Sequence, residues 1–278
     1  MTLSVSDYLN PLDVEMLQKQ FLSSRPTRYF VIEQFLKESF LEEVVASYPS
    51  YAEASQVGKK FAYVNEKRKV QITDPSLFPS PVRTLSDVLA HPDFLKQVCE
   101  ITQMPNLLAD DRLSGGGMHL MAPGGHLDVH ADFNLLKPEG YHRRLNIIVH
   151  LNPRDWRPEW GGAFELWDPQ VRFLLHEFPP AWNRCLIFNT TLTSFHGVSA
   201  ISCPKGRSRN SFAGFYYTEA PPPDWDGHEH PPDFRARPNE YFKGLVKMPV
   251  ERALRNLTDD YWRTRKKVTS AIKQRLFG

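Results

Sequence analysis

From Gly117 to Thr218 the chain repeats one pattern. Short stretches rich in β-branched and aromatic residues occur at 117–121, 126–131, 144–151, 163–168, 171–176, 184–189, 195–199 and 209–218, with turn-forming residues between them. Strands this short and this closely spaced leave no room for the crossover helices of a parallel sheet, so the region predicts an antiparallel sandwich or barrel. The 23 prolines, 15 glycines and 12% aromatic residues suit such turn-rich β structure. Helical spacing is confined to the flanks. Leu12, Met16 and Phe21 predict a first helix, Tyr29–Ile32 an extended stretch, and Leu36, Phe40, Leu41, Val44 and Val45 a helix over 37–48. Residues 59–73 read as irregular strands. Val82, Leu85, Leu89, Phe94 and Val98 predict two helices between 81 and 103, broken at His91-Pro92. Helices first and strands afterwards make an α+β order, not the alternation of a dinucleotide-binding fold, and neither G-x-G-x-x-G nor a P-loop is present.

Residues 219–248 read as loop, with Pro221-Pro222-Pro223 and Pro231-Pro232. After Pro249 the apolar residues Val250, Leu254, Leu257, Tyr261, Val268, Ile272 and Leu276 trace a final helix. Its other face is basic, and docking on the protein's own core or on a partner protomer is its expected role, with an anionic surface or membrane as the alternative. The expected organisation is one catalytic domain over 1–278: a mainly helical support region at 1–113, a metal-binding β-barrel core at 114–218, and a loop with a C-terminal helix at 219–278.

Charge and cysteine usage remove several classes of function. Thirty-four Lys+Arg against 32 Asp+Glu leave a net charge of +2, so no strong field marks a nucleic-acid binder. No apolar run reaches the roughly 20 residues of a transmembrane segment. The first residues lack the basic start and apolar core of a signal peptide, which predicts a cytoplasmic protein. Cys99, Cys185 and Cys203 are odd in number and widely separated, and they suggest neither a disulfide framework nor a thiolate zinc site.

The chemistry concentrates in three places. Gly124–Asp132 contains two His-x-Asp pairs, His126/Asp128 and His130/Asp132, and on a strand positions i and i+2 share a face. His196, in Phe195-His196-Gly197, stands in a later strand of the same region. Two histidines and a carboxylate with open coordination positions form the facial triad of non-haem Fe(II) oxygenases. Arg209 and Ser211 share a strand face, so a guanidinium and a hydroxyl there suit one carboxylate.

In combination these pieces resemble the 2-oxoglutarate and Fe(II)-dependent dioxygenase superfamily, in its prolyl-hydroxylase-like bacterial branch. The resemblance is carried by Leu127-x-x-His130-x-Asp132, Arg143-Arg144-Leu145-Asn146 to His150-Leu151-Asn152, Trp160-Gly161-Gly162-x-x-Glu165-Leu166-Trp167, Arg184-x-x-Ile187-Phe188, Phe195-His196-Gly197 and Arg209-x-Ser211. It covers about 100 residues densely and the N-terminal helices only by general pattern. It implies a double-stranded β-helix, a jelly-roll or cupin-like barrel with N-terminal helices packed on one sheet and a C-terminal helix.

The resemblance also implies a cofactor set of Fe(II), 2-oxoglutarate and O₂. The apolar Leu127, three positions before His130, selects His130, Asp132 and His196 as the metal and catalytic residues. His126 and Asp128 are left as supporting groups nearer the pocket mouth or as plain polar strand residues. Arg209 and Ser211 would hold the 5-carboxylate of 2-oxoglutarate, with Arg207 as the competing arginine. His150 stands where many relatives have a tyrosine that bonds that carboxylate. Asn146 would help hold cosubstrate or substrate, and Gly161-Gly162 would serve a turn or bulge. The implied activity is hydroxylation of an unactivated C–H bond of a small molecule in a biosynthetic or tailoring pathway, with cosubstrate decarboxylated to succinate. Two alternatives stand beside it: a hydroxylase of a prolyl or other side chain of a protein partner, and a non-oxygenase cupin-like binding or isomerase protein.

Overall fold

A computed structural model describes residues 3–254. The described residues fall into two compact units, one ending at Arg235 and one beginning at Ala236. In chain order the elements of the first unit are α1 (Val14–Ser23), β1 (Tyr29–Ile32), α2 (Glu38–Ser47), α3 (Tyr51–Val57), β2 (Lys59–Ala62), β3 (Glu66–Ile72), α4 (Ser80–Ala90), α5 (Pro92–Thr102), β4 (Leu108–Ala109), β5 (Gly117–Ala131), β6 (Leu135–Leu136), β7 (Tyr141–His150), β8 (Phe164–Trp167), β9 (Leu174–Phe178), β10 (Cys185–Asn189), β11 (His196–Val198), β12 (Arg209–Thr218) and β13 (Asp233–Arg235). In the second unit residues 248–254 are helical. The predicted final helix otherwise lies outside the described residues.

The strands pair antiparallel in the order β1-β10-β7-β12-β5-β11-β8-β9, with β3 added beside the first half of β5 and β2 beside β3. The sheet turns on β5. Residues 117–121 run between β12 and β3, β3 continues alongside to Leu127, and from Leu127 onward β5 pairs with β11 and β13. One long bulged strand therefore stands where the sequence reads as two, at 117–121 and 126–131. This curled antiparallel sheet is the double-stranded β-helix fold.

Alternation with period two assigns the faces. Leu145, Ile147 and Val149 of β7, Phe212 and Tyr216 of β12, Met118 and Leu120 of β5, and Val70 and Ile72 of β3 pack outward against the helices. There they meet Phe40, Leu41 and Val44 of α2, Val82, Leu85 and Leu89 of α4, and Phe94 and Val98 of α5. Each such side chain is worth roughly 1.5–3 kcal/mol when fully buried, so this layer is the main hydrophobic core. The intervening residues face into the barrel. Two tyrosines tie the layers together: Tyr216 Oη donates to Leu89 O (3.0 Å) and Tyr48 Oη donates to Ser211 O (2.8 Å).

The helices begin and end where local chemistry dictates. Asp13 caps α1 by accepting from the Met16 amide at 3.0 Å. Proline at position 92 forces His91 into an extended conformation (ψ 137°), which separates α4 from α5. Helix α3 is absent from the periodicity reading because its apolar stripe is too short. Its signal is the capping box of Ser50 and Glu53, in which Ser50 N donates to Glu53 Oε2 (2.8 Å) and Glu53 N to Ser50 Oγ (3.3 Å). Strand β13 also forms inside the stretch that reads as loop, because Asp233–Arg235 find a partner in β5. Among the described residues no helix is long and apolar enough to cross a membrane.

Candidate functional site

The inward-facing side chains line a cavity of about 280 Å³. At one end stand His130, Asp132 and His196, whose ligand atoms lie within 4.8 Å of one another. Each histidine is aimed by its backbone. His130 Nδ1 donates to Asp128 O and His196 Nδ1 to Ser194 O, both at 2.9 Å. A carbonyl only accepts, so Nδ1 carries the proton and the Nε2 lone pair is left facing Asp132. His130 Nε2 is 3.5 Å from Asp132 Oδ1 and His196 Nε2 is 3.5 Å from Asp132 Oδ2. Those separations suit bonds of roughly 2.0–2.2 Å meeting at one ion. Two imidazoles, one carboxylate and room on the cavity side form a donor set that fits Fe(II) with positions left for other ligands.

The electrostatics favour the metal-binding protonation states. Burial, followed by the neighbouring His130, pushes the His196 imidazole down to about 3, so it is neutral. Burial alone would raise the Asp132 carboxyl, but Arg143, then His196 and His130, outweigh it and hold the group well below the usual carboxylate range. Rings pack the histidines in place: Phe234 of β13 stacks on His130 (4.9 Å between centroids), and Phe188 and Phe164 flank His196 (4.8 and 5.5 Å).

A bulge decides between the two His-x-Asp pairs. Against β11, His130 pairs with His196 but Leu127 pairs with Val198, so β5 carries one extra residue there. Leu127, His130 and Asp132 line the cavity as a result, and His126 and Asp128 do not. His126 Nε2 lies 3.1 Å from Val64 O and 3.5 Å from Asp128 Oδ1. The contribution of Asp128 to the site is its backbone carbonyl, which orients His130.

Asn146 does not face the far end of the cavity. Its amide donates to Asp132 Oδ2 at 2.6 Å, and its carbonyl accepts from Arg143 Nε (3.0 Å) and Thr190 Oγ1 (3.1 Å). Arg143 Nη2 lies 3.2 Å from the same Asp132 oxygen, with the guanidinium clamped between the rings of Phe215 (3.5 Å) and Phe133 (4.5 Å). Arg143 and Asn146 thus hold the carboxylate that would hold the metal. Asn146→Ala is expected to lower Fe(II) affinity by about 10–100-fold, the usual loss when a partner of a ligand is removed. Competition with a metal-binding dye, beside circular dichroism for the fold, measures this.

The other end of the cavity is set by β12. Arg209 is 3% exposed. Its Nε donates to Gly162 O (2.6 Å) and its Nη1 to Ser211 Oγ (3.3 Å), while the buried Nη2 has no partner among the described residues. No acidic side chain pairs with it among those residues, and burial pushes its pKa down to about 10. A charged guanidinium kept dry without a counter-charge is a site for an anion. Gly162 makes that geometry possible: at φ +75° it lies so close that a Cβ would meet Arg209 Cδ at 3.0 Å. Ser211 faces His150 across β7, where both ring nitrogens are buried and unpartnered. Arg207 lies outside, with its two terminal nitrogens each 2.7 Å from a carboxylate oxygen of Asp155.

Comparison with known proteins agrees with this geometry. Residues 116–217 match the sequence model of the 2OG-Fe(II) oxygenase superfamily. The 2OG-Fe(II) oxygenases use Fe(II), 2-oxoglutarate and O₂, and the residues described above fit the first two. A mouse prolyl 3-hydroxylase, OGFOD1, is 32% identical over 79 residues, which span 27% of this chain and 14% of that protein. Two solved structures share the fold. One is a prolyl hydroxylase from Trichoplax adhaerens in complex with a hypoxia inducible factor peptide fragment, with TM-score 0.51 and 17% identity over 74% of this chain and 89% of that one. The other is the non-haem α-ketoglutarate-dependent carbocyclase SnoK from nogalamycin biosynthesis, with TM-score 0.51 and 13% identity over 75% of this chain and 87% of that one.

Four parts of the site carry no assigned role in the sequence reading. These are the Arg143 clamp, the aromatic ring of Phe234, and the inward-facing Lys69 and His119. Arg143 was legible only as part of the Arg-Arg-Leu-Asn run, and Phe234 only as an apolar residue after Pro231-Pro232.

Proposed function

We propose that this chain is an Fe(II)- and 2-oxoglutarate-dependent hydroxylase acting on an unactivated C–H bond of a small molecule. The observation that carries the reading is that the His130, Asp132 and His196 ligand set and the unpaired Arg209 guanidinium lie in one cavity. A molecule that chelates at one end and carries an anion at the other, as 2-oxoglutarate does, suits both.

Bound iron with 2-oxoglutarate and O₂ supplies the oxidising power, decarboxylation to succinate and CO₂ driving hydroxylation of the substrate. The chain's own residues set the conditions for it. His130 and His196 offer Nε2 lone pairs, their Nδ1 atoms being engaged with backbone carbonyls, and Asp132 offers a carboxylate fixed in orientation by Arg143 and Asn146. Arg209, Ser211 and His150 receive the far carboxylate of the cosubstrate. Phe61, Phe133, Phe215 and Phe234 line the cavity with apolar surface that displaces water and leaves an aromatic wall for substrate.

The cavity volume of about 280 Å³ and the covering of His130 by Phe234 support a small substrate. The similarity to a mouse prolyl 3-hydroxylase supports a second reading, a prolyl or other side chain of a protein partner. Succinate formation with Fe(II), 2-oxoglutarate and O₂ separates them when small hydroxylatable molecules and proline-containing peptides are supplied in parallel. Stimulation by a small molecule is the expected result. Stimulation by peptides alone would replace the substrate assignment. Folded, iron-loaded protein that neither binds 2-oxoglutarate nor forms succinate would favour a non-oxygenase binding or isomerase role.

A further inference from the structure

Four buried nitrogens around Ser211 have no hydrogen-bond partner among the described residues: Nε2 of His119 and Nη2 of Arg209, both on residues that line the cavity, and both ring nitrogens of His150 behind them. Strand register explains why they gather. Ser211 on β12 stands opposite His119 on β5 and opposite His150 on β7. Directly opposed residues point to the same face, with Cβ atoms about 4.5–5.5 Å apart. Two imidazoles therefore flank one hydroxyl on the inner wall of the barrel. Gln71 extends the row onto β3, but its amide is committed to Gly116 O at 2.9 Å. Unpaired buried donors persist where a ligand satisfies them.

We propose that His119 and His150 close on the far carboxylate of 2-oxoglutarate from the two sides of Ser211, and that the cosubstrate enters together with one proton, taken up by His119. The inference rests on the oxygenase reading above. A carboxylate only accepts hydrogen bonds, so each imidazole that meets it must present an N–H, and an imidazolium gives the stronger, charge-assisted bond.

The surroundings select His119 as the proton acceptor. Facing its imidazole are Lys69 from β3, Arg209 from β12 and the backbone of Gly115 and Gly116, while the hydroxyl of Tyr48 at the end of α2 meets the His119 backbone. Lys69 is already balanced by Glu66 Oε1 at 2.9 Å, and the Tyr48 hydroxyl is committed to Ser211 O. Among the described residues the cavity is lined by two carboxylates, Glu66 and Asp132, and Asp132 is held at the metal end by Arg143. In the empty site burial, then Lys69 and Arg209, keep His119 well below its ordinary range. An incoming anion neutralises Arg209 and leaves His119 beside no uncompensated cation. His150 differs in burial: it is fully enclosed, whereas His119 is part-exposed to the cavity, so desolvation, the largest influence on His150, still opposes its protonation after the ligand binds. It serves as a neutral donor.

The sign follows from linkage. A group whose pKa rises on binding takes up a proton, so affinity for 2-oxoglutarate strengthens as pH falls, by up to roughly tenfold per pH unit. The test is calorimetric titration of 2-oxoglutarate into the anaerobic Fe(II) protein between pH 6 and 8, in buffers of different ionisation enthalpy. The expected results are a binding enthalpy that varies with buffer and an affinity that rises toward pH 6. His119→Gln, which keeps a donor but takes up no proton, should still bind while losing both effects. His150→Gln should bind more weakly yet keep the buffer dependence.

Buffer-independent enthalpy in the unaltered protein overturns the inference, and so does a dependence that survives His119→Gln. Imidazole ¹⁵N resonances of the unaltered protein need no variant: a new imidazolium signal on adding 2-oxoglutarate supports the inference, and its absence overturns it. Failure of 2-oxoglutarate to bind at all removes the oxygenase reading and this inference together. Binding without proton uptake removes this inference alone.

Discussion

His196→Ala is expected to strip the protein of Fe(II) and to end succinate formation while leaving the barrel folded. Removing a ligand takes away more than the roughly 10–100-fold in metal affinity lost when a supporting partner is mutated. The hydrophobic core that stabilises the fold lies on the other side of the sheet, between β7, β12, β5 and the helices. Asp132→Ala should lose the metal too, but with a further consequence. Arg143 is 4% exposed and paired with Asp132. Truncating the carboxylate strands a buried guanidinium, a change that typically destabilises by about 3–5 kcal/mol. Asp132→Asn keeps a hydrogen-bond acceptor for Arg143 and should separate metal loss from instability.

Metal content, succinate yield and thermal unfolding, measured side by side, test the assignment. His126→Ala is the control and should retain iron, because its imidazole does not line the cavity. Full turnover in both His196→Ala and Asp132→Asn would sink the ligand set, and iron loss in His126→Ala alone would show that the other His-x-Asp pair binds it.

Arg209→Ala is expected to weaken 2-oxoglutarate binding by about 30-fold to several thousand-fold, the roughly 2–5 kcal/mol that follows from leaving a buried anion without its cation. Stability should not fall in parallel. No acidic side chain pairs with Arg209 among the described residues, so truncation leaves no charge behind in the unliganded protein. Arg209→Lys should restore part of the binding, since an ammonium brings charge without the planar fork. Arg207→Ala should bind within about threefold of the unaltered protein. Its partner is Asp155 at the surface, and exposed pairs of that kind contribute roughly 0–1 kcal/mol. Affinity of the anaerobic Fe(II) protein for 2-oxoglutarate, by calorimetry, decides between them. Equal binding by Arg209→Ala together with failure of Arg207→Ala would mean that the register of β12 is wrong.

Local signals in the sequence were enough for the types of the longer elements, though not for α3 or β13. The aromatic-rich stretch 209–218 reads as a strand and is one, the Pro92 break separates α4 from α5, and the two histidines with a carboxylate that suggest a metal site are brought together by the fold. These properties depend on a residue and its close neighbours: steric limits at proline, side-chain periodicity and donor chemistry. Leu127 selects His130 over His126 only through the resemblance. The physical reason is the bulge in β5, a property of its pairing with β11.

Tertiary structure alone decided what the polar strand faces are for. Lys69-Val70-Gln71-Ile72 and Met118-His119-Leu120-Met121 alternate polar and apolar residues along much of their length. In an open sheet the polar face of such a pattern turns to solvent. Here the sheet curls on itself, so that face becomes the cavity wall, and Lys69, Gln71 and His119 join Arg209 and Ser211 inside. The same closure brings Asn146, expected to help hold cosubstrate or substrate, against Asp132, because its position along β7 sets which layer of the barrel it reaches. Sequence periodicity shows that a strand has two faces; closure of the barrel decides which of them encloses the chemistry.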